Sequence, residues 1–202
     1  MENNLEANIP LLVPDVTFED VYGFKKEKSE LQKFILYSVK LSFDRRDLFP
    51  LGHFRDAKIL LCGPKGTDMF HLAMTAAKEV SAKFIPVNCR EHSGEIENYV
   101  FLGGSDENKG RALIKAIFSK AEKNVPCVIF LNNIDAIKDA QSDTDYSTEE
   151  YAKHHYLRQP LLNELNVCRE KRRDGVIVIA ATNRFDLLDV YIYGKFLKRI
   201  EI

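Results

Sequence analysis

Four apolar, β-branched runs alternate with stretches of helical periodicity, and that alternation limits the chain to very few architectures. Gly175-Val176-Ile177-Val178-Ile179-Ala180-Ala181 is the clearest run, and residues 57–62, 83–89 and 125–131 read the same way. A strand apolar on both faces has to be covered on both faces, which is the situation of a parallel sheet held between helices. The intervening stretches supply those helices. Residues 27–43 carry Leu31, Phe34, Ile35 and Val39 at helical spacing, and residues 67–80 place Phe70, Ala73, Ala76, Ala77 and Val80 on one face. Leu113, Ile114, Ile117, Phe118 and Ala121 stripe residues 112–123; Leu157, Leu161, Leu162 and Leu165 stripe 148–167, with Pro160 expected to kink that helix. The expected class is α/β, three layers, with ligands bound at the carboxyl ends of the strands.

The 202 residues are 45% hydrophobic and 29% charged, with a formal net charge of −1. That composition gives one soluble domain over residues 15–202, preceded by a loose arm over 1–14, and no repeat or low-complexity tract divides it. Near-neutral charge gives no global reason to bind nucleic acid or a membrane surface. The cluster Arg169-Glu170-Lys171-Arg172-Arg173 reads as a solvated connection between helix and strand, and the acidic stretch 139–150 as a surface loop without the spacing of a calcium site. Cys62, Cys89, Cys127 and Cys168 form no C-x-x-C pair, so they read as buried free thiols in a reducing compartment such as the cytoplasm. No segment has the length of a membrane span, and Met1-Glu2-Asn3-Asn4-Leu5-Glu6 is not a leader.

The turn after the first strand carries the first chemical signal. Gly63-Pro64-Lys65-Gly66-Thr67-Asp68-Met69-Phe70 joins a strand to a helix, where a phosphate-binding loop G-x-x-x-x-G-K-[ST] would stand. In such a loop backbone N–H groups cradle phosphates, the lysine reaches the terminal ones and the hydroxyl holds magnesium. Met69 and Phe70 do neither, and the Asp68 carboxylate repels a polyphosphate. At the end of the third run stands Asn132-Asn133-Ile134-Asp135, where a nucleotide hydrolase needs one acid for magnesium and another for the attacking water. Asparagine carries no charge and accepts no proton at neutral pH. Both loci lose their chemistry together while keeping their frames.

In these placements the chain resembles the AAA+ ATPases, and most closely the AAA module of FtsH-type proteases. The resemblance rests on Val16-Thr17-Phe18-Glu19-Asp20-Val21-Tyr22-Gly23, on Leu51-Gly52 with Gly63-Pro64, on Pro126 to Leu131, and on Gly175 to Arg184, in that order. It implies a P-loop NTPase fold. It also implies that Val21, Tyr22 and Gly23 lie beside an adenine, and that Gly63, Pro64, Lys65, Gly66, Thr67 and Asp68 are a vestigial phosphate cradle. By the same resemblance Met69 stands at the lysine position, Phe70 at the magnesium hydroxyl, Asn132 at the magnesium acid and Asn133 at the catalytic glutamate. Asn183 matches a sensor that positions water, and Phe101-Leu102-Gly103 matches a pore loop that grips polypeptide. After Asp189 the arginine-finger stretch runs two residues short, leaving Lys195, a point charge without the planar fork. By the resemblance the chain is expected to be the large subdomain without the family's helical lid, and adjacent His154-His155 is not the H-E-x-x-H of a metalloprotease.

Loss of a general base costs ~10²–10⁴ in rate, and loss of an arginine finger ~10³–10⁵. The expectation is therefore a pseudo-ATPase without hydrolysis, with no cofactor expected, ATP or ADP bound weakly or not at all and magnesium binding doubtful, acting as a scaffold or regulatory subunit beside AAA+ subunits. The alternative is an ATP-hydrolysing protein of the FtsH or unfoldase type in protein quality control. Phe101 keeps two readings, a peptide-gripping residue and an ordinary loop aromatic.

Overall fold

A computed structural model of the protein describes residues 2–44, 57–90, 99–102, 106–137, 155–170 and 175–202. Its elements run α1 (Glu2–Ala7), α2 (Lys25–Asp44), β1 (Lys58–Cys62), α3 (Met69–Glu79), β2 (Lys83–Asn88), β3 (Val100–Phe101), α4 (Glu107–Glu122), β4 (Cys127–Asn132), α5 (His155–Glu170), β5 (Val176–Thr182), α6 (Val190–Tyr193) and β6 (Lys198–Glu201). The strands form one sheet in the order β3-β2-β4-β5-β1-β6, with every neighbouring pair parallel.

The period-two geometry of a strand sends alternate residues to opposite faces, and the two cores divide on that rule. Leu60, Cys62, Ile129, Leu131, Val178 and Ala180 face α4 and α5. Ile59, Leu61, Val128, Phe130, Ile177 and Ile179 face α2 and α3. The three layers expected from the sequence are thus present. α4 lies close on α5 at Gly110, where a Cβ would stand 2.8 Å from both Leu157 Cδ2 and Tyr156 Cε2.

Several local expectations need correction. The arm expected to be loose is docked: Ile9 is buried, Leu12 exchanges two backbone hydrogen bonds with Phe84, and Glu6 accepts from Ser119 on α4 and from Lys123 just after it. A six-residue helix has little stability of its own, so these tertiary contacts supply what propensity does not. The helix expected over 112–123 begins five residues earlier, because the Asp106 carboxylate accepts from the Lys109 N–H as an N-cap. α3 begins at Met69 rather than Thr67 for the same reason, with Asp68 as the cap. Its inward face is Met69, Leu72, Ala73, Thr75, Ala76 and Ala77, while Phe70 and Val80 are half-buried. β3 and β6 extend the sheet at its two edges beyond the four runs read from the sequence.

Cys62, Cys89 and Cys127 are buried free thiols. Burial pushes the Cys127 thiol up to about 12 and holds the Cys89 thiol higher still. The acidic stretch 139–150, Leu51-Gly52, Lys171 to Arg173 and His154 lie outside the described residues, as do the surroundings of Cys168 and His155.

Candidate functional site

The carboxyl ends of β1, β2, β4 and β5 gather the residues singled out above. Gly63 follows β1, and its N–H donates to the Thr182 carbonyl at the end of β5. A Cβ there would stand 3.2 Å from the Ile202 carbonyl oxygen and from Thr67 Oγ1, so glycine fits where the loop passes close to β6. Gly66 has φ +95°, and the Thr67 N–H donates to the Pro64 carbonyl at 3.2 Å, which closes a tight turn over Lys65 and Gly66. Asp68 follows at φ −82°, ψ 64°, and the Met69 N–H donates across it to the Thr67 carbonyl at 2.9 Å, an inverse γ-turn.

Asp68 then closes the start of α3. Its Oδ1 accepts the His71 N–H at 3.1 Å, and its Oδ2 lies 2.6 Å from His71 Nδ1. A helix start gathers unpaired N–H donors and positive potential, the combination that attracts an anion. Here the chain's own carboxylate stands at that start. Three backbone donors of the loop and first turn, on Thr67, Met69 and His71, are thereby paired within the chain. Lys65 is exposed at the tip of the turn, and Met69 turns into the core at 8% exposure, in contact with the apolar layer under α2 and α3.

Phe70 leaves the loop toward the sheet instead of presenting a polar group. Its ring stands 5.4 Å from the Tyr99 ring, 5.7 Å from Phe84 and 5.8 Å from Phe130. Tyr99 in turn hydrogen-bonds the Asn132 side chain, and burial, with the Asp68 charge second, holds its phenol well above the ordinary tyrosine range. Asn132 Oδ1 also accepts the Asn133 N–H at 3.0 Å, and Asn133 Nδ2 donates to Asn88 Oδ1 at 3.1 Å. Asn133 takes φ 55°, a left-handed conformation that asparagine tolerates better than most residues. The two asparagines of the sequence reading are therefore committed to a ladder of amide contacts joining the ends of β2 and β4.

Behind the ladder lies a charged network that the sequence reading missed. Asp135 is fully buried; its Oδ2 lies 2.9 Å from Arg90 Nη2, and its Oδ1 accepts the Thr182 hydroxyl at 2.6 Å. Thr182 Oγ1 also accepts the Arg184 N–H at 2.9 Å. A carboxylate two residues after the asparagine pair was the available signal. Asn183 is half-buried, and its Oδ1 is a buried acceptor without a partner among the described residues.

The remaining candidates lie on other segments, and of these Phe101 meets the centre through Tyr99. Lys28 Nζ donates to the carbonyls of Phe18, at 2.7 Å, and Val21, pinning the opening segment. Val21 is buried, Gly23 has φ +80°, and Tyr22 projects into solvent at 98% exposure. Phe101 is half-buried in β3 and Leu102 is buried, while Gly103 lies outside the described residues. Lys195 is half-buried just after α6. Among the described residues no three His, Cys, Asp or Glu side chains group to hold a metal, and no helix is long and apolar enough to cross a membrane.

A six-stranded parallel sheet between helices, with a glycine-bearing turn from β1 into α3, defines a three-layer α/β module of the P-loop NTPase class. Residues 59–202 match the profile described as "ATPase family associated with various cellular activities (AAA)", and the chain belongs to that family. It is 34% identical over 192 residues to proteasome-activating nucleotidase 1 of Haloferax volcanii, covering 94% of this chain and 43% of that protein. ATP-dependent zinc metalloprotease FtsH 1 of a Thermoanaerobacter species is 32% identical over 191 residues, 93% of this chain and 28% of that protein. The chain thus spans less than half the length of these relatives. The crystal structure of the FIGL-1 AAA domain in complex with ADP superposes with a TM-score of 0.75 at 23% identity, covering 100% of this chain and 62% of that one, a likeness of fold.

Proposed function

We propose that this module is a pseudo-ATPase: an AAA+ large subdomain that serves as a scaffold or regulatory subunit beside AAA+ partners, itself or others, without hydrolysing ATP. The observation that carries the reading is the Asp68 carboxylate at the start of α3, bonded to the His71 N–H where a phosphate would need that positive helix end. A second anion brought there meets like charge instead of an empty cradle. Phe70, packed on Tyr99, offers no hydroxyl to a magnesium ion, and Asn132 and Asn133 offer no carboxylate. These residues do not fit magnesium nucleotide, so no catalytic step is assigned to it. Vestigial contacts at Val21, Tyr22, Gly23 and residues 63–68 leave room for weak ATP or ADP binding only.

The partner reading follows from the family: related AAA+ subunits, and a polypeptide met at Phe101, Leu102 and Gly103. Buried free thiols support a reducing, cytoplasmic setting.

One observation favours a second reading, an ATP-binding and ATP-hydrolysing protein of quality control. Asn183, at the position of the family's sensor, keeps an unpartnered buried oxygen that would take a donated hydrogen bond. Calorimetric titration with ATP and with ADP, each with and without magnesium, separates the two. The proposal expects at most weak, magnesium-independent heat and no phosphate release; magnesium-dependent turnover that disappears in Asn183→Ala overturns it.

A further inference from the structure

The positions that would feel a bound phosphate, the first turn of α3 and the end of β4, are both tied to one side chain. Tyr99 packs against Phe70 at 5.4 Å between ring centroids and hydrogen-bonds Asn132. It also packs against Phe101, at 6.3 Å between ring centroids. All these separations lie in the range where aromatic pairs attract beyond their area burial. Phe70 is itself wedged by Phe84 of β2 and Phe130 of β4, and those two rings stack on each other at 5.8 Å. The ladder Phe70, Tyr99, Phe101 thus runs from the loop helix to the short edge strand β3, whose own pairing to β2 is only Val87 with Val100 and Asn88 with Phe101.

We propose that this ladder fixes β3 in one posture without nucleotide, so that Phe101 is presented permanently rather than on command. Two ladder pairs in β3 hold a strand weakly, so the burial of Val100 and Leu102, the Leu102 N–H bond to the Asn88 carbonyl and the aromatic contacts together keep the segment against the sheet. The contact runs through three half-buried rings, of which Phe70 rests on the buried pair Phe84 and Phe130, and a close-packed layer rearranges between discrete packings rather than bending gradually. A side chain clamped this way has no second posture for a ligand to select, and a ligand with no differential interaction shifts no equilibrium. The inference deepens the pseudo-ATPase reading and rests on it for its biological sense, while the clamp itself is a property of the packing.

The chain has no tryptophan, so Phe101→Trp places a single reporter at the end of the ladder. Its emission maximum and acrylamide quenching are to be recorded in the otherwise unchanged chain, with Phe70→Ala, with Tyr99→Ala, and with Tyr99→Phe, which keeps the ring and removes the Asn132 bond. Phe185→Ala, at a separate surface pair with Tyr193, is the control. Circular dichroism checks that each variant is folded, and Phe70→Leu replaces Phe70→Ala if the latter is not.

Loss of one aromatic contact is expected to enlarge the displaced, quenchable population about fivefold, with a smaller increase in Tyr99→Phe and none in the control. Quenching equal in all folded variants overturns the clamp. ATP with magnesium is added to each sample. If it binds in a magnesium-dependent way with phosphate release and leaves the reporter unchanged, the pseudo-ATPase reading falls and the clamp stands. If it binds and moves the reporter of the parent chain, the clamp falls.

Discussion

Asp68→Asn separates the two things that the Asp68 carboxylate does. Asparagine caps a helix about as well as aspartate, so the bond to the His71 N–H persists and only the charge is removed. Asp68→Ala removes both. A carboxylate about 5 Å from a phosphate oxygen, with half its surface in water, opposes it by about 1–2 kcal/mol per unit charge, which is roughly a five- to thirtyfold weakening. Titration of each variant with inorganic pyrophosphate and with ATP, at low ionic strength where screening is least, reads the charge directly. Thermal unfolding reads the cap, worth about 1 kcal/mol and hence about 2–4 °C in a domain of this size. Asp68→Asn is expected to bind pyrophosphate five- to thirtyfold more tightly than the parent with an unchanged melting temperature, and Asp68→Ala to gain the affinity while losing the stability. If Asp68→Asn gains nothing, the carboxylate is not what excludes phosphate. The loop's internally bonded N–H groups would then be the cause.

The buried network around Asp135 makes an asymmetric prediction. Arg90→Ala strands a fully buried carboxylate and is expected to cost about 3–5 kcal/mol. Asp135→Asn leaves Arg90 with access to water and keeps an acceptor for Thr182, so its cost is expected near 2 kcal/mol or less; urea unfolding that ranks the two the other way refutes the assignment. The raised Cys127 thiol predicts alkaline instability. The thiol stays protonated in the fold up to about 12 while the unfolded thiol ionises from its ordinary 9.0, so its contribution is intact below pH 9 and is lost as pH rises toward 12, at up to about 1.4 kcal/mol per pH unit. Melting temperatures across that window are expected to fall less steeply in Cys127→Ala than in the parent, and parallel slopes would dismiss the thiol as a contributor.

The sheet was legible because its strands are buried on both sides, and continuous β-branched runs such as 175–181 have few other uses. Helix starts were less legible: Asp106 and Asp68 set them, and a capping aspartate is a single polar residue that periodicity does not weigh. Gly110 looks like punctuation in the sequence, yet it lies inside α4 because α5 crosses there too closely for a side chain. The arm gave no signal because its order comes from partners far along the chain. At the site, the asparagines and the altered loop could be read from residue type alone. Their mutual bonding could not: that Phe70 meets Tyr99, and Tyr99 meets Asn132, depends on how three separate strand ends converge. The opposing charge of Asp68 was readable, whereas its second use as a cap needed the backbone turn beneath it.

The docking of the arm also sets an order of events during synthesis. Glu6 is held by Ser119 and Lys123, 113 and 117 residues downstream. The arm leaves the ribosome before α4, yet its seat on α4 does not exist until that helix has followed it out. Leu5, Ile9 and Leu11, all packed against the α4 side of the sheet in the finished molecule, therefore wait as an apolar tether until α4 has been made. The arm is made before its seat and docks only after it, so a nascent chain stalled before α4 exposes that apolar segment.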